Sequence, residues 1–340
     1  MLLNRGFEDF LASDRSDRDV RSEDMKQLRR WIVLLLATLV TCLGVMGWHT
    51  YSQAQSSPAP KLTLETAGLT LQELGSGVYG LIASTDFPPK DPNVAICNAG
   101  IVIGTDRVLV IDPFQNAALA NLLFSTVKGL TDKPIKYVLN THYHFDHTGG
   151  NPAAEAKGIS IIGRGPIREF MINRNKDRDP NPTPPKLVIN GESTIWVGER
   201  QVQVREVEGH SGGTDVVAYV PDAKVLFTGD ILFHQRIPYV SDGNIRKWQN
   251  SLSQLIAAYP TVRLLPGHGP VTDQSGLKTL KSYFDNLEKL ALSWKEQSLT
   301  QEQVLERFAQ VPAPYKNYKF QGLYKGNLET AYQQITHGGQ

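Results

Sequence analysis

Residues 69–112 carry their apolar positions in short β-branched runs broken by Gly and Asp: Leu69–Leu74, Val78–Ser84, Ala95–Ile103 and Arg107–Asp112. Runs of this length and make-up predict four successive strands. The period then changes. Over Asn116–Leu130, Ala117, Leu119, Ala120, Leu123 and Val127 fall on one side of a helix. Pro134 precedes another strand run, Ile135–Leu139, and Ile159–Ile162 reads as a further buried strand. Asn173–Pro185 is rich in Pro, Asp and Asn without apolar periodicity, which predicts a mobile surface loop bordering whatever site the strands build. In the second half Gln201–Glu208 alternates imperfectly, and Val216–Val220 with Lys224–Thr228 reads as a hairpin around Pro221-Asp222. That hairpin is expected to end at Gly229-Asp230, and Val262–Leu265 supplies the last strand. Asn244–Tyr259 predicts a helix with Trp248, Leu252, Leu255 and Ile256 on one side, and helices around Leu277–Gln297, Gln301–Ala309 and Leu328–Ile335 complete an α/β protein.

The N-terminus has a different pattern. Trp31 to Trp48 contains no charged residue, long enough at 1.5 Å per residue to approach a bilayer span. Lys26, Arg29 and Arg30 precede it and no Lys or Arg follows until Lys61, so the positive-inside bias sends the rest of the chain outward. Residues 1–54 are therefore expected to be an N-terminal extension plus a signal peptide or signal anchor, with translation starting at Met25 or Met1. Ser52-Gln53-Ala54 fits a cleavage site, 55–68 reads as a linker, and 69–340 is the expected folded domain, periplasmic or otherwise extracytoplasmic.

Composition adds limits more than content. A net charge of +1 gives no electrostatic reason to expect nucleic acid, and membrane contact is expected only through the N-terminal segment. No phosphate-cradling Gly-rich loop or repeat is present. Cys42 lies in the apolar run and Cys97 stands alone in the rest, so no disulfide framework is available; Cys97 is expected to be a small core residue.

The chemistry is concentrated in Thr141-His142-Tyr143-His144-Phe145-Asp146-His147-Thr148-Gly149-Gly150, directly after the Ile135–Leu139 strand. Three imidazoles and a carboxylate within six positions suit a divalent metal, for which neutral imidazole and carboxylate are good ligands. Gly149-Gly150 is expected to let the backbone leave the site by a tight turn. Three further polar residues, His210, Asp230 and His268, each follow a strand and sit beside glycine, which favours one convergent site.

The pattern His142-x-His144-x-Asp146-His147, with those downstream residues, resembles the metallo-β-lactamase superfamily across residues 69–340. The resemblance implies a four-layered αββα sandwich with metals at one edge. It implies one metal on His142, His144 and His210, a second on Asp146, His147 and His268, and Asp230 bridging. Two zinc ions are expected, with iron or manganese as substitutes. A zinc-bound hydroxide would then attack an acyl carbonyl in a lactam, lactone, ester or thioester, with Asp146 both a ligand and the group that orients the nucleophile. Asp112, at a strand end, matches the early Asp that supports the metal loop from behind. The runs around Asp230 and His268 look most like exported hydrolases of this superfamily, including those associated with quinoprotein relay systems.

Substrate contacts are drawn more loosely. Arg236 and Lys247 follow the bridging Asp and are candidates for a substrate carboxylate, with plain surface charge as the other reading. Phe87, in the Pro-rich loop Thr85–Lys90, is a candidate flap residue or part of an ordinary connection. The substrate is expected to be a small molecule and the protein a monomer or homodimer. Two other functions fit part of the same pattern: a mononuclear iron persulfide dioxygenase, and a non-catalytic periplasmic relay partner.

Overall fold

In the computed structural model, residues 25–42, 46 and 61–336 are described. Two compact units are distinguished, 1–61 and Leu62–Gln340. In the first, residues 25–42 form helix α1, which carries Lys26, Arg29 and Arg30 in its opening turns. No helix among the described residues is long and apolar enough to cross a membrane. Part of the expected apolar run, the expected cleavage site and residues 55–60 of the expected linker lie outside the described residues.

The second unit begins earlier than Leu69, since Leu62, Leu64 and Ala67 already pack against core residues. Its strands β1 (Leu69–Gly75), β2 (Val78–Ala83), β3 (Ala99–Ile103), β4 (Val108–Ile111), β5 (Ile135–Leu139), β6 (Ser160–Arg164) and β7 (Leu187–Ile189) form one sheet in sequence order. The first four pair antiparallel, and β4 through β7 pair parallel. The parallel step from β4 to β5 requires a crossover, which is α2 (Ala117–Leu130). Asn116 caps it by accepting from Leu119 N at 2.9 Å. Strands β8 (Ser193–Val197), β9 (Arg200–Glu206), β10 (Val216–Val220), β11 (Val225–Phe233) and β12 (Arg263–His268) form a second sheet in the order β12-β11-β10-β9-β8.

The sheets face each other across an apolar layer. From the first come Val102, Leu109, Ile111 and Leu139, and from the second Val202, Val204, Ala218 and Phe227. The outer face of the first sheet is covered by α2 and α4 (Asn151–Glu155), which follows the short α3 (Phe145–Thr148). The outer face of the second is covered by α6 (Ile245–Ala258), α7 (Gln274–Glu296), α8 (Gln301–Phe308) and α9 (Tyr324–Ala331). The remaining helix, α5 (Ile167–Arg174), lies beside the metal-motif loop through Ile167, Met171 and Tyr143. This is the expected αββα layering.

Two local expectations change, and three elements lie beyond what the sequence pattern predicts. Strands β7 and β8 and helix α5 carry little apolar pattern: Leu187, Val188 and Trp196 are exposed, so alternation is not visible there. Asp230 does not end a hairpin. Gly229 adopts φ +48° and the β11–β12 register shifts around it, so the strand continues through a bulge and holds Asp230 buried within it. Gly149 and Gly150 have ordinary helical backbone, with φ of −65° and −83°. Their requirement is space, because a Cβ would stand 2.2 Å from Gln115 O and 2.0 Å from Pro113 O respectively.

Asn98 ties the two sheets together at the end where the histidines gather. Its Nδ2 donates to Pro266 O at 2.9 Å and Gly269 O at 2.8 Å, while its Oδ1 accepts from Ala83 N at 2.8 Å. Replacing Asn98 by Ala leaves these buried backbone groups unpaired. It is expected to cost about 2–4 kcal/mol in urea unfolding; a loss within about 0.5 kcal/mol, the usual spread for neutral surface changes, would contradict this role.

Candidate metal centre

Seven polar side chains from both sheets converge on one edge. Loop 140–144 after β5 and helix α3 bring His142, His144, Asp146 and His147; the turn after β9 brings His210; β11 brings Asp230; and the end of β12 brings His268. They form two adjoining groups, His142, His144, His210 with Asp230, and Asp146, His147 with His268, the potential ligand atoms of each lying within 4.8 Å of one another.

Each imidazole is anchored by one nitrogen and presents the other inward. His147 Nδ1 donates to Asp112 Oδ2 at 2.9 Å, His210 Nδ1 to Asp215 Oδ1 at 3.1 Å, and His268 Nδ1 to Ile96 O at 3.1 Å. His144 is turned the other way, its Nε2 donating to Asp242 Oδ2 at 3.0 Å. For His142 the anchor is a relay. Its Nδ1 donates to Thr141 Oγ1 at 3.0 Å, and that hydroxyl donates to Asp112 Oδ2 at 2.7 Å. Outer hydrogen bonds of this kind fix ring orientation and tautomer in metal sites. Asp112 thus anchors two rings, and its other oxygen accepts from Thr141 N at 2.8 Å. The residue sits at φ +54°, an uncommon backbone conformation for Asp that these three hydrogen bonds hold.

With the outer nitrogens engaged, the inner ones crowd one another. His142 Nε2 is 3.1 Å from His144 Nδ1, and His147 Nε2 is 3.4 Å from His268 Nε2. Asp230 stands between the groups, with Oδ1 3.1 Å from His147 Nε2 and Oδ2 3.2 Å from His268 Nε2, 3.6 Å from His210 Nε2 and 3.7 Å from His142 Nε2. Asp146 Oδ2 lies 3.4 Å from His268 Nε2 and 3.5 Å from His147 Nε2. His210 Nε2 is buried without any hydrogen-bond partner. Buried polar atoms normally find partners, and an all-imidazole and carboxylate set suits zinc. The residues fit two such ions.

The titration pattern follows. Burial holds His142 well below the ordinary imidazole value, and burial also lowers His144. Burial pulls His147 down too, but Cys97, Asp230, Asp146 and Asp112 around it outweigh that and raise it well above. His210 likewise resists its burial and is raised, through Asp215 and then Asp230. Asp230 is held well below the usual carboxylate range: its burial acts the other way, and His268, His147 and His142 overcome it. The His144 hydrogen bond, against partial burial and aided by Tyr143, lowers Asp242 to about 2. The Cys97 thiol is pushed up to about 12 by burial, and its Sγ donates to Asp146 O at 3.0 Å.

The site floors a cavity of about 450 Å³ lined by Phe87, Phe145, Phe233, Tyr239, Phe320 and polar groups that include Asp146, Asp230 and Asp242. Phe87 does reach it, packed against Phe320 with ring centroids 5.8 Å apart. Two expected substrate contacts do not. Lys247 sits in the first turn of α6 and pairs with Glu208 at 3.0 Å on the surface. Arg236 is buried, its guanidinium 5.6 Å from the Phe320 ring and bonded to Gln235 O, and it is not part of the cavity wall. The Lys247 charge is taken up by Glu208, and Arg236 is turned into the protein away from the cavity. Conversely Asp215, Asp242 and Asn98 were not singled out. Asp215 falls inside the Gly209–Asp215 run, and its spacing from His210 was the signal; Asp242 arrives from 98 residues away and left none.

Comparisons with known proteins agree with this geometry. The family model of the metallo-beta-lactamase superfamily matches residues 92–268, more than half of the chain. The chain belongs to that superfamily. It is 31% identical over 167 residues to a hydroxyacylglutathione hydrolase of Pelagibacter ubique, which covers 47% of this chain and 64% of the relative. A hydroxyacylglutathione hydrolase of Brucella ovis is 33% identical over 135 residues, covering 39% of this chain and 48% of that one. The match thus spans less than two thirds of these relatives. Among solved structures, a metallo-beta-lactamase from Pontibacter korlensis superposes with a TM-score of 0.56 at 23% identity, over 64% of this chain and 99% of that one. One from Hirschia baltica gives 0.54 at 23% identity, over 64% and 97%. These two likenesses speak to the fold.

His147 and His210 are both raised, so protons compete with a metal for these rings. Zinc titration by calorimetry in buffers of different ionisation enthalpy is expected to show net proton release, with affinity falling as pH falls. Release of none would contradict these protonation states. Asp242→Ala frees the His144 ring and is expected to weaken zinc binding about 10–100-fold, read by competition with a chelator; unchanged affinity would contradict the anchoring role.

Proposed function

We propose that this protein is an extracytoplasmic, metal-dependent hydrolase that cleaves an acyl bond in a small molecule. The observation that carries the reading is the pair of inward-facing imidazole groups at the floor of an aromatic cavity. His142, His144 and His210 would hold one zinc ion and Asp146, His147 and His268 a second, with Asp230 facing both. When bound, zinc supplies Lewis acidity and lowers the pKa of a coordinated water to about 7.

The chain's own residues supply the rest. Asp146 opens onto the cavity beside His268 and His147, placed to orient an attacking water and to take its proton on the carboxylate. Asp112, Asp215, Asp242 and the Ile96 carbonyl hold the rings in register through their outer nitrogens. Phe87, Phe145, Phe233 and Phe320 line the cavity and exclude bulk water from an acyl group held there. Similarity to hydroxyacylglutathione hydrolases over part of their length puts a thioester first among the substrates, ahead of a lactone, ester or lactam. A mononuclear iron centre accounts less well for the arrangement, because it would use only one of the two adjoining ligand groups. Export rests on the uncharged run Trp31–Trp48 behind Lys26, Arg29 and Arg30, and is tested by mass spectrometry of the mature N-terminus.

Asp146→Asn is expected to keep the fold by circular dichroism and to lower turnover of a glutathione thioester, a lactone or a nitrocefin-like lactam, whichever is cleaved, by about 100-fold or more. Chelation should abolish turnover of the wild type and zinc restore it. Cleavage of none of the three by zinc-loaded protein, or near-normal turnover by the variant, would overturn the respective claim.

A further inference from the structure

We propose that Arg174 and Arg178 form a carboxylate-binding subsite on the cavity wall, so that the substrate is an acyl compound with an apolar body and an anionic group. This rests on the hydrolase reading of the same cavity. Both arginines line it, together with Asn175, at the C-terminal end of α5 and in the turn that follows. Neither makes an ion pair among the described residues, whereas Arg164, Arg200 and Lys247 are each paired with an acid.

The two guanidinium groups are positioned by aromatic faces. The Arg174 guanidinium lies 3.6 Å from the Phe170 ring centroid and 5.7 Å from that of Tyr143, and Arg178 lies 5.6 Å from the Phe145 ring. Contact with an aromatic ring holds each guanidinium in place, and although Arg174 also hydrogen-bonds Tyr143, five N–H donors per group leave others for bidentate recognition of a carboxylate.

The turn itself is tied to the metal loop. Asn175, almost fully buried, donates from Nδ2 to Tyr143 O at 2.7 Å, and its own carbonyl accepts from Arg178 N at 2.8 Å and Asp179 N at 2.7 Å. One buried amide thereby sets the distance between Arg178 and the loop that carries His142 and His144. The acids on this wall are Asp177 and Asp242, and Asp242 is already engaged by Tyr143 OH at 2.5 Å and by His144. Phe233, Phe320 and Leu323 also line the cavity and give the apolar body its surface.

The test is equilibrium binding by calorimetry to the zinc-loaded full chain, using 4-acetamidobenzoate and its neutral match, 4-acetamidobenzamide. Wild type is expected to bind the carboxylate at least about tenfold more tightly. That preference should fall to about one in R174Q/R178Q and return in part in R174K/R178K, which keeps the charge without the fork. Equal binding of the two probes by wild type overturns the proposal. So does a preference that persists in R174Q/R178Q, which would place the carboxylate on zinc. Parallel turnover of the thioesters 4-(acetylthio)benzoate and 4-(acetylthio)benzamide separates the two readings. Loss of the preference in R174Q/R178Q supports the subsite even if neither thioester is cleaved, a result that would count against the hydrolase alone.

Discussion

Two pairs of inward-facing imidazole nitrogens held 3.1 and 3.4 Å apart constitute the constraint on which this structure depends. In a buried site such contacts are repulsive unless a cation stands between them. Among the described residues no lysine or arginine pairs with these groups; Asp230 and Asp146 stand there instead. The arrangement therefore belongs to a protein built around bound positive charge, whether protons in the metal-free state or zinc in the loaded one.

Everything behind the rings serves to keep that arrangement from relaxing. Four outer nitrogens are fixed by Asp112, Asp215, Asp242 and a backbone carbonyl, and the fifth through Thr141. Tight glycines let the backbones approach closely enough to do it: a Cβ on Gly267 would fall 1.9 Å from Asp230 Oδ1. Asn98 joins the ends of the two sheets beside His268, so the ligands contributed by each sheet cannot drift apart without breaking buried hydrogen bonds. The sandwich core between the sheets, with Phe227 at its centre, is the scaffold on which these contacts are held in place.

Much of this was legible along the chain, for a physical reason. The ligands travel in short motifs at strand ends, where apolar runs give the strands away and clustered histidines give the chemistry away. Asp112 was legible for the same reason, lying at the end of a four-residue apolar strand. Asp242 was not, because its meaning comes from a contact with His144 across 98 residues. The bulge at Gly229 hid the continuation of β11, and the exposed edge strands β7 and β8 lacked the alternation that marks a half-buried strand. Arg236 and Lys247 read as free charges until burial and the Glu208 ion pair accounted for them. Arg178 was hidden within a stretch that looked like plain loop, though Asn175 fixes it to the motif itself.

The most direct measurement is anomalous X-ray scattering at the zinc edge from crystals of the zinc-loaded chain. Two neighbouring peaks are expected, one among His142, His144 and His210 and one among Asp146, His147 and His268, with Asp230 touching both. Zinc found elsewhere, or no peak at this edge of the sandwich, would contradict the account.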